Sequence, residues 1–241
     1  MIAAMPIVGV TMRGLLGRRR TILMALLAGL PVLIALLIRI AGGDPQLDRV
    51  LDAMIVQTVL PLVALVFGTA ALGSEIEDGT AVYLIVKPVP RWRIVGAKMV
   101  VAALLTVALI MPSTVLAGLL AGGTDSNALG KTFAYALAAS VGGAAYACAF
   151  VALSTFTGRA LVIGLGYTMI WEGLLAGLLE GTRFLSIRQA ALGIASALSE
   201  PPASETRLDV GLSVAIIAIV IVGSFVLGSW RLARFEIRGG D

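Results

Sequence analysis

Histidine is absent from this chain of 241 residues, and cysteine occurs once. The first absence removes the usual ligand of zinc and haem and the usual proton carrier near neutral pH. The second rules out an intrachain disulfide, and Cys148, set in an apolar run, reads as a buried unpaired thiol. Charge is scarce too. Asp, Glu, Lys and Arg make up 13% of the residues, where an ordinary soluble domain carries roughly 25%. What fills the chain instead is apolar: 59% hydrophobic residues, with a mean hydropathy of +1.01. No soluble core hides that much apolar surface, so lipid must cover much of it.

A helix needs about 20 mostly apolar residues to cross a bilayer. Runs of that kind lie at 21–41, 53–73, 99–121, 133–156, 160–179 and 208–230. The chain therefore reads as one all-α integral membrane domain of about six transmembrane helices. Only Thr157, Gly158 and Arg159 separate the fourth run from the fifth, which predicts a tight helical hairpin. Pro31, Pro61 and Pro112 fall inside runs, where membrane helices tolerate them better than soluble ones do. The apolar part of the first run, 22–38, is longer than a signal-peptide core, so it is expected to be retained as a span.

Basic residues set the orientation. Arg13, Arg18, Arg19, Arg20, Lys87, Arg91, Arg93, Lys98, Arg159, Arg231, Arg234 and Arg238 all fall on one side of the predicted bundle. Arg49, Lys131, Arg183, Arg188 and Arg207 fall on the other, with Arg39 a snorkelling anchor near the same edge. The excess of positive charge marks the cytoplasmic face, so both termini are expected there. The net charge of +4 then reports orientation and contact with anionic lipid rather than nucleic-acid binding. Residues 1–20 carry Ile7, Val8, Met12, Leu15 and Leu16 ahead of the arginines, a pattern that suits an amphipathic helix along the interface. On the outer side, the loop at 180–207 begins at Glu180, which marks the outer end of the fifth span. It holds a stripe of Phe184, Ile187, Ala191, Ile194 and Leu198 that predicts an amphipathic helix, ended by Pro201 and Pro202. That helix either dips into the outer membrane face or caps the bundle.

The most informative segment is the polar loop at 74–98. Glu75, Glu77 and Asp78 come first, then Gly79 and Thr80, a short apolar stretch containing Leu84, and finally Pro88, Pro90, Arg91 and Lys98. Acids at one end and bases at the other make a polar element between two spans, and the two prolines break the chain before the next helix. Such an element suits the grip of another protein or a place along the membrane interface. These residues, with the six runs, the basic amphipathic lead-in and the long last outer loop, resemble the ABC-2 type transporter permeases over essentially the whole chain. The likeness is to short bacterial permeases encoded apart from their ATPase, of the drug-export and copper-enzyme-maturation kinds.

The resemblance implies a type V exporter-like fold in the bacterial inner membrane, with this loop as the coupling helix that docks into a separate nucleotide-binding subunit. Glu75, Glu77, Asp78, Gly79, Thr80, Leu84, Pro88, Pro90, Arg91 and Lys98 match the coupling pattern. It implies ATP and Mg2+ on the partner ATPase and no cofactor or metal on this chain. A second permease subunit, identical or related, would complete a pathway that exports lipids, drugs, peptides or polysaccharides; the apolar lining suits an amphiphile.

Other motifs carry less. Gly130-Lys131-Thr132 invites a phosphate-loop reading, but the glycine required five residues earlier is Asp125. Glu172, in the fifth run, is a functional candidate because an ionisable group at membrane depth is expensive. Structural pairing with Tyr or Ser side chains, substrate contact and proton coupling are its three readings. Gly118, Gly122, Gly173 and Gly177 recur at four-residue spacing and allow close helix approach, within the bundle or between subunits. An ion-coupled secondary transporter has Glu172 as its sole support and shows no clear repeat between halves. An intramembrane enzyme lacks histidine and a carboxylate cluster. A membrane scaffold or assembly protein is the last alternative.

Overall fold

The computed structural model describes residues 18–77, 90–175, 184–199 and 208–234. Among these, every element is helical: α1 (Arg18–Ile40), π1 (Arg49–Val59) running directly into α2 (Leu60–Glu77), α3 (Arg91–Gly122), α4 (Ser126–Phe156), α5 (Ala160–Gly166) running into π2 (Tyr167–Leu175), α6 (Ile187–Leu198) and α7 (Val210–Ala233). Five stretches are long and apolar enough to cross a membrane: Thr21–Ile40, Arg49–Leu72, Arg91–Gly122, Ser126–Phe156 and Val210–Ala233. The run at 160–179 is helical from Ala160 to Leu175, where the described residues stop, so the full length of that helix lies outside them. The amphipathic lead-in at 1–17 and the loop residues 78–89 lie outside them as well.

Local chemistry sets the breaks. Pro90 sits extended (φ −61°, ψ 131°) before α3, where a proline without an N–H costs the helix nothing. The far end of α3 closes on Gly123, whose φ of 74° is open to glycine and strained for other residues. Its N–H bonds Leu119 O at 3.1 Å. The α4–α5 hairpin is pinned by Arg159 N donating to Thr157 Oγ1 at 3.1 Å. In π1 the backbone takes the wide i→i+5 register: Leu60 N bonds Ile55 O, and Thr58 Oγ1 bonds Ala53 O at 2.9 Å. The register reverts to α at Pro61, which has no N–H to offer an α-helical bond.

The helices alternate in direction, so one end of the bundle gathers arginines, with Glu75 and Glu77 of α2 among them, and the other gathers most of the described acidic residues beside Arg39, Arg49, Lys131 and Arg188. The basic end holds Arg91, Arg93, Arg159, Arg231 and Arg234; the acidic end holds Asp44, Asp48, Asp52, Asp125, Glu172 and Asp209. At the centre stands α4, packed against α2, α3, α6 and α7. Its buried surface is built of small residues, among them Ala138, Ala139, Gly142, Gly143, Ala145 and Ala147, which let neighbouring backbones approach closely. At Gly68 of α2 a side-chain Cβ would stand 2.7 Å from Phe150 Cβ and 2.9 Å from Ala147 O. Tyr146 and Phe150 stack in this core, ring centroids 6.0 Å apart. The two prolines of α1 and α3 lie near one another, since Ser113 Oγ, next to Pro112, donates to Ala28 O, three residues before Pro31.

Outside this core the pattern inverts. On α7 the buried positions are Ser213, Ile217, Ser224, Gly228 and Leu232, while Ile219, Val222, Val226 and Leu227 are exposed. On α1, Leu23, Leu26, Leu33 and Leu37 face outward. Exposed apolar surface on this scale has no stable place in water. Lipid is its solvent, and the molecule is a multi-pass, all-α membrane protein.

Candidate functional site

Two polar constellations interrupt this apolar body, one at each end. At the basic end lies the polar loop between α2 and α3. Glu75 and Glu77 occupy the last turn of α2, while Asp78, Gly79, Thr80, Leu84 and Pro88 lie outside the described residues. The remaining three are fixed by contacts within the chain. Pro90 precedes α3 in extended conformation. Arg91 opens α3 and sends its Nη1 to the last carbonyls of α7, bonding Leu232 O at 2.7 Å and Ala233 O at 3.1 Å. Those carbonyls belong to the last turn of α7 and carry the negative end of the helix dipole, so a guanidinium complements them. Lys98, two turns further on, is fully buried, and its Nζ donates to Ala71 O of α2 at 2.5 Å. The α3 root of the loop is thus clamped, to α2 through Lys98 and to α7 through Arg91.

Aromatic rings stand beside three of the other arginines at this end. Arg231 lies over Phe156 with its guanidinium carbon 5.8 Å from the ring centre, Arg234 over Trp230 at 4.1 Å, and Arg93 over Trp92 at 5.2 Å. Cations over ring faces, with Trp92, Phe156 and Trp230 exposed, are what a lipid headgroup region accommodates.

At the acidic end Glu172, on π2, is 1% exposed. Its carboxylate accepts from Tyr167 Oη at 3.0 Å, from Ser186 Oγ at 2.5 Å and from the backbone N–H of Ile187 at 3.0 Å. Tyr146 faces the same carboxylate from α4, outside hydrogen-bond geometry. Ser186 in turn caps α6 by accepting from Gln189 N at 3.0 Å. The buried charge therefore sits at the N-terminus of α6, where unpaired N–H groups and the helix dipole favour an anion. Arg188 extends the cluster: it donates to Glu172 O at 3.4 Å and stands 3.7 Å from Asp52 of π1. One helix, α6, is thereby tied to both wide-register segments.

Some of this lies beyond sequence reasoning. Asp52 and Arg188 were not candidates; an acid beside an apolar run and a base on a polar stripe give a weak signal singly, and only the fold pairs them. The stripe on α6 shows Ile187, Ala191 and Ile194 buried with Phe184 and Leu198 exposed, yet Ala190, Gly193 and Ala195 are buried as well. The helix is set into the bundle against α4 and α7. Gly130, Lys131 and Thr132 lie within α4. Lys131 pairs with Asp48 and Thr132 packs on Gly118, so this segment forms no phosphate cradle. Gly122 meets Ala128 and Leu47; Gly173 is exposed and faces no neighbouring helix among the described residues; Gly177 lies outside them.

The fold and these end-clusters define a polytopic membrane protein with a polar loop anchored between two spans. A family model described as ABC-2 family transporter protein matches residues 16–172, from the start of α1 to Glu172 itself. The match takes in well over half of the chain, and the protein belongs to the ABC-2 transporter family. Comparison with curated proteins and with solved structures finds no match.

Proposed function

We propose that this chain is the membrane-spanning permease subunit of an ATP-driven exporter, powered by a separate ATPase subunit that binds ATP and Mg2+. The observation that carries the reading is the family match, which covers both helices flanking the polar loop. In this reading the basic end is cytoplasmic, in keeping with its arginines, both termini lie on that side, and the membrane is a bacterial inner membrane. The loop at 74–98 is the coupling element, presenting Glu75, Glu77 and the residues up to Pro88 to the ATPase. A second permease subunit, identical or related, completes the pathway. The cargo is an amphiphile, lipid-like or drug-like, matched to apolar walls.

Ion-coupled transport is the weaker reading. The oxygens of the Glu172 side chain are already occupied by Tyr167, Ser186 and Ile187 of the same chain, which makes the group a tie between π2 and α6 rather than an open ion site. The test is co-purification in nanodiscs with the candidate ATPase, comparing the native chain with the Glu75→Gln/Glu77→Gln variant. Retention by the native chain and release by the folded variant is the expected result. Failure of any ATPase to associate with the native chain would overturn the assignment.

A further inference from the structure

Arg91 belongs by sequence to the loop expected to meet the ATPase, yet its guanidinium is engaged with the last turn of α7. We propose that Arg91 is a positioning residue rather than a docking residue, and that it carries movement of the loop into α7, which delivers it across the membrane to α6. The proposal rests on the transporter reading given above.

Three observations along α7 support it. First, its link to the loop is specific: one Nη1 bonds two successive carbonyls, and charge-assisted bonds of this kind are among the stronger ones in proteins. Second, α7 is seated closely on the root of the loop as well as on α4. Two of its contacts with the bundle are at glycines: a Cβ at Gly96 would stand 3.2 Å from Phe225 Cε2, and one at Gly228 3.2 Å from Val95 Cγ1. Both lie on or against the first turns of α3, so α7 and the root of the loop form one packed unit. Third, the opposite end of α7 meets α6 directly. Ser213 abuts Gly193, and the carbonyl of Leu208 lies 2.8 Å from where a Cβ on Gly193 would sit.

Between these two ends α7 is an uninterrupted helix without proline, stiff enough to shift as a body. The element it would push is the one held by Glu172, Ser186 and Arg188 to π1 and π2. Polar ties of that sort have discrete made and broken arrangements.

The experiment separates docking from transmission. In a Cys148→Ala background, spin labels are placed at Val210→Cys, on the exposed far end of α7, and at Ser126→Cys, on the exposed start of α4. The distance between them is measured in nanodiscs with the ATPase that co-purifies with the native chain, before and after addition of ATP and Mg2+. The expected result is a nucleotide-driven distance change in the native background that is lost in Arg91→Gln, while the ATPase stays bound and hydrolyses ATP. Arg91→Lys, which keeps the charge but not the fork, restores it in part. Release of the ATPase by Arg91→Gln would make Arg91 a docking residue and overturn the proposal, as would a distance change equal to that of the native background. Should Arg91→Gln fail to fold, Arg91→Lys carries the test, a reduced change supporting the proposal and a full one overturning it. If the native chain binds no ATPase, the transporter reading itself fails and this inference falls with it.

Discussion

At the scale of single residues, the costly groups in this molecule are the buried charges. Glu172 is tolerated at membrane depth because three donors converge on its carboxylate, one of them the N–H of Ile187, which cannot rotate away. In Glu172→Gln one oxygen becomes an NH2 that faces a donor instead of accepting from it. The variant is expected to lose about 2 kcal/mol of stability, the range of a hydrogen bond to a charged group with its partner left unsatisfied. The readout is chemical unfolding in mixed micelles. Asp48→Asn serves as the contrast. Asp48 pairs with Lys131, but its side chain is 69% exposed, and loss of such a surface pair is expected to cost less than about 1 kcal/mol. Equal losses in the two variants would show that burial of the carboxylate is not what gives the Glu172 cluster its weight.

At the scale of helices, close approach decides stability more than hydrophobicity does, since lipid is as apolar as the bundle interior. Gly68 makes this testable. Its Cβ would run into Phe150 Cβ and the Ala147 carbonyl, and a backbone carbonyl cannot step aside as a flexible side chain can. Gly68→Ala is expected to force α2 from α4 and to destabilise by about 1–3 kcal/mol. Gly223→Ala on α7, with nothing within 4 Å of the new methyl, is expected to stay within about 1 kcal/mol of the native chain. The same physics explains what could be read from the sequence. Long apolar runs are a strong signal, and five of the six appear as helices of spanning length among the described residues. The seating of α6 was only half visible, because Ala190, Gly193 and Ala195 are buried by being small and leave little hydrophobic signature. Glu172 was visible as an anomaly, but its partners Ser186 and Arg188 lie beyond the end of its own helix. Arg91 was visible as a loop cation. Its true partners are two main-chain carbonyls, which no side-chain pattern can announce.

At the scale of the whole molecule, charge and packing make separate predictions about how the bundle sits in its membrane. Packing says which surfaces meet lipid: the outward faces of α1 and α7, where large aliphatic side chains stand exposed. Charge says which way up the bundle is expected to stand: the end holding Arg91, Arg93, Arg159, Arg231 and Arg234 toward the cytoplasm, because lysine and arginine are retained on that side while acids contribute little. The native chain offers a clean background, since its one cysteine is buried in α4 and should not react with a bulky maleimide. Single cysteines placed at Asp44, in the exposed turn after α1, or at Asp125, before α4, are expected to be labelled by a membrane-impermeant maleimide added to intact cells. Cysteines at Arg159, in the α4–α5 turn, or at Arg234, after α7, are expected to be labelled only once the membrane is opened. The reverse pattern would put the polar loop between α2 and α3 on the outer side, out of reach of ATP. It would remove the ATPase from the mechanism whatever the family resemblance, because a coupling loop on that face has nothing to couple to.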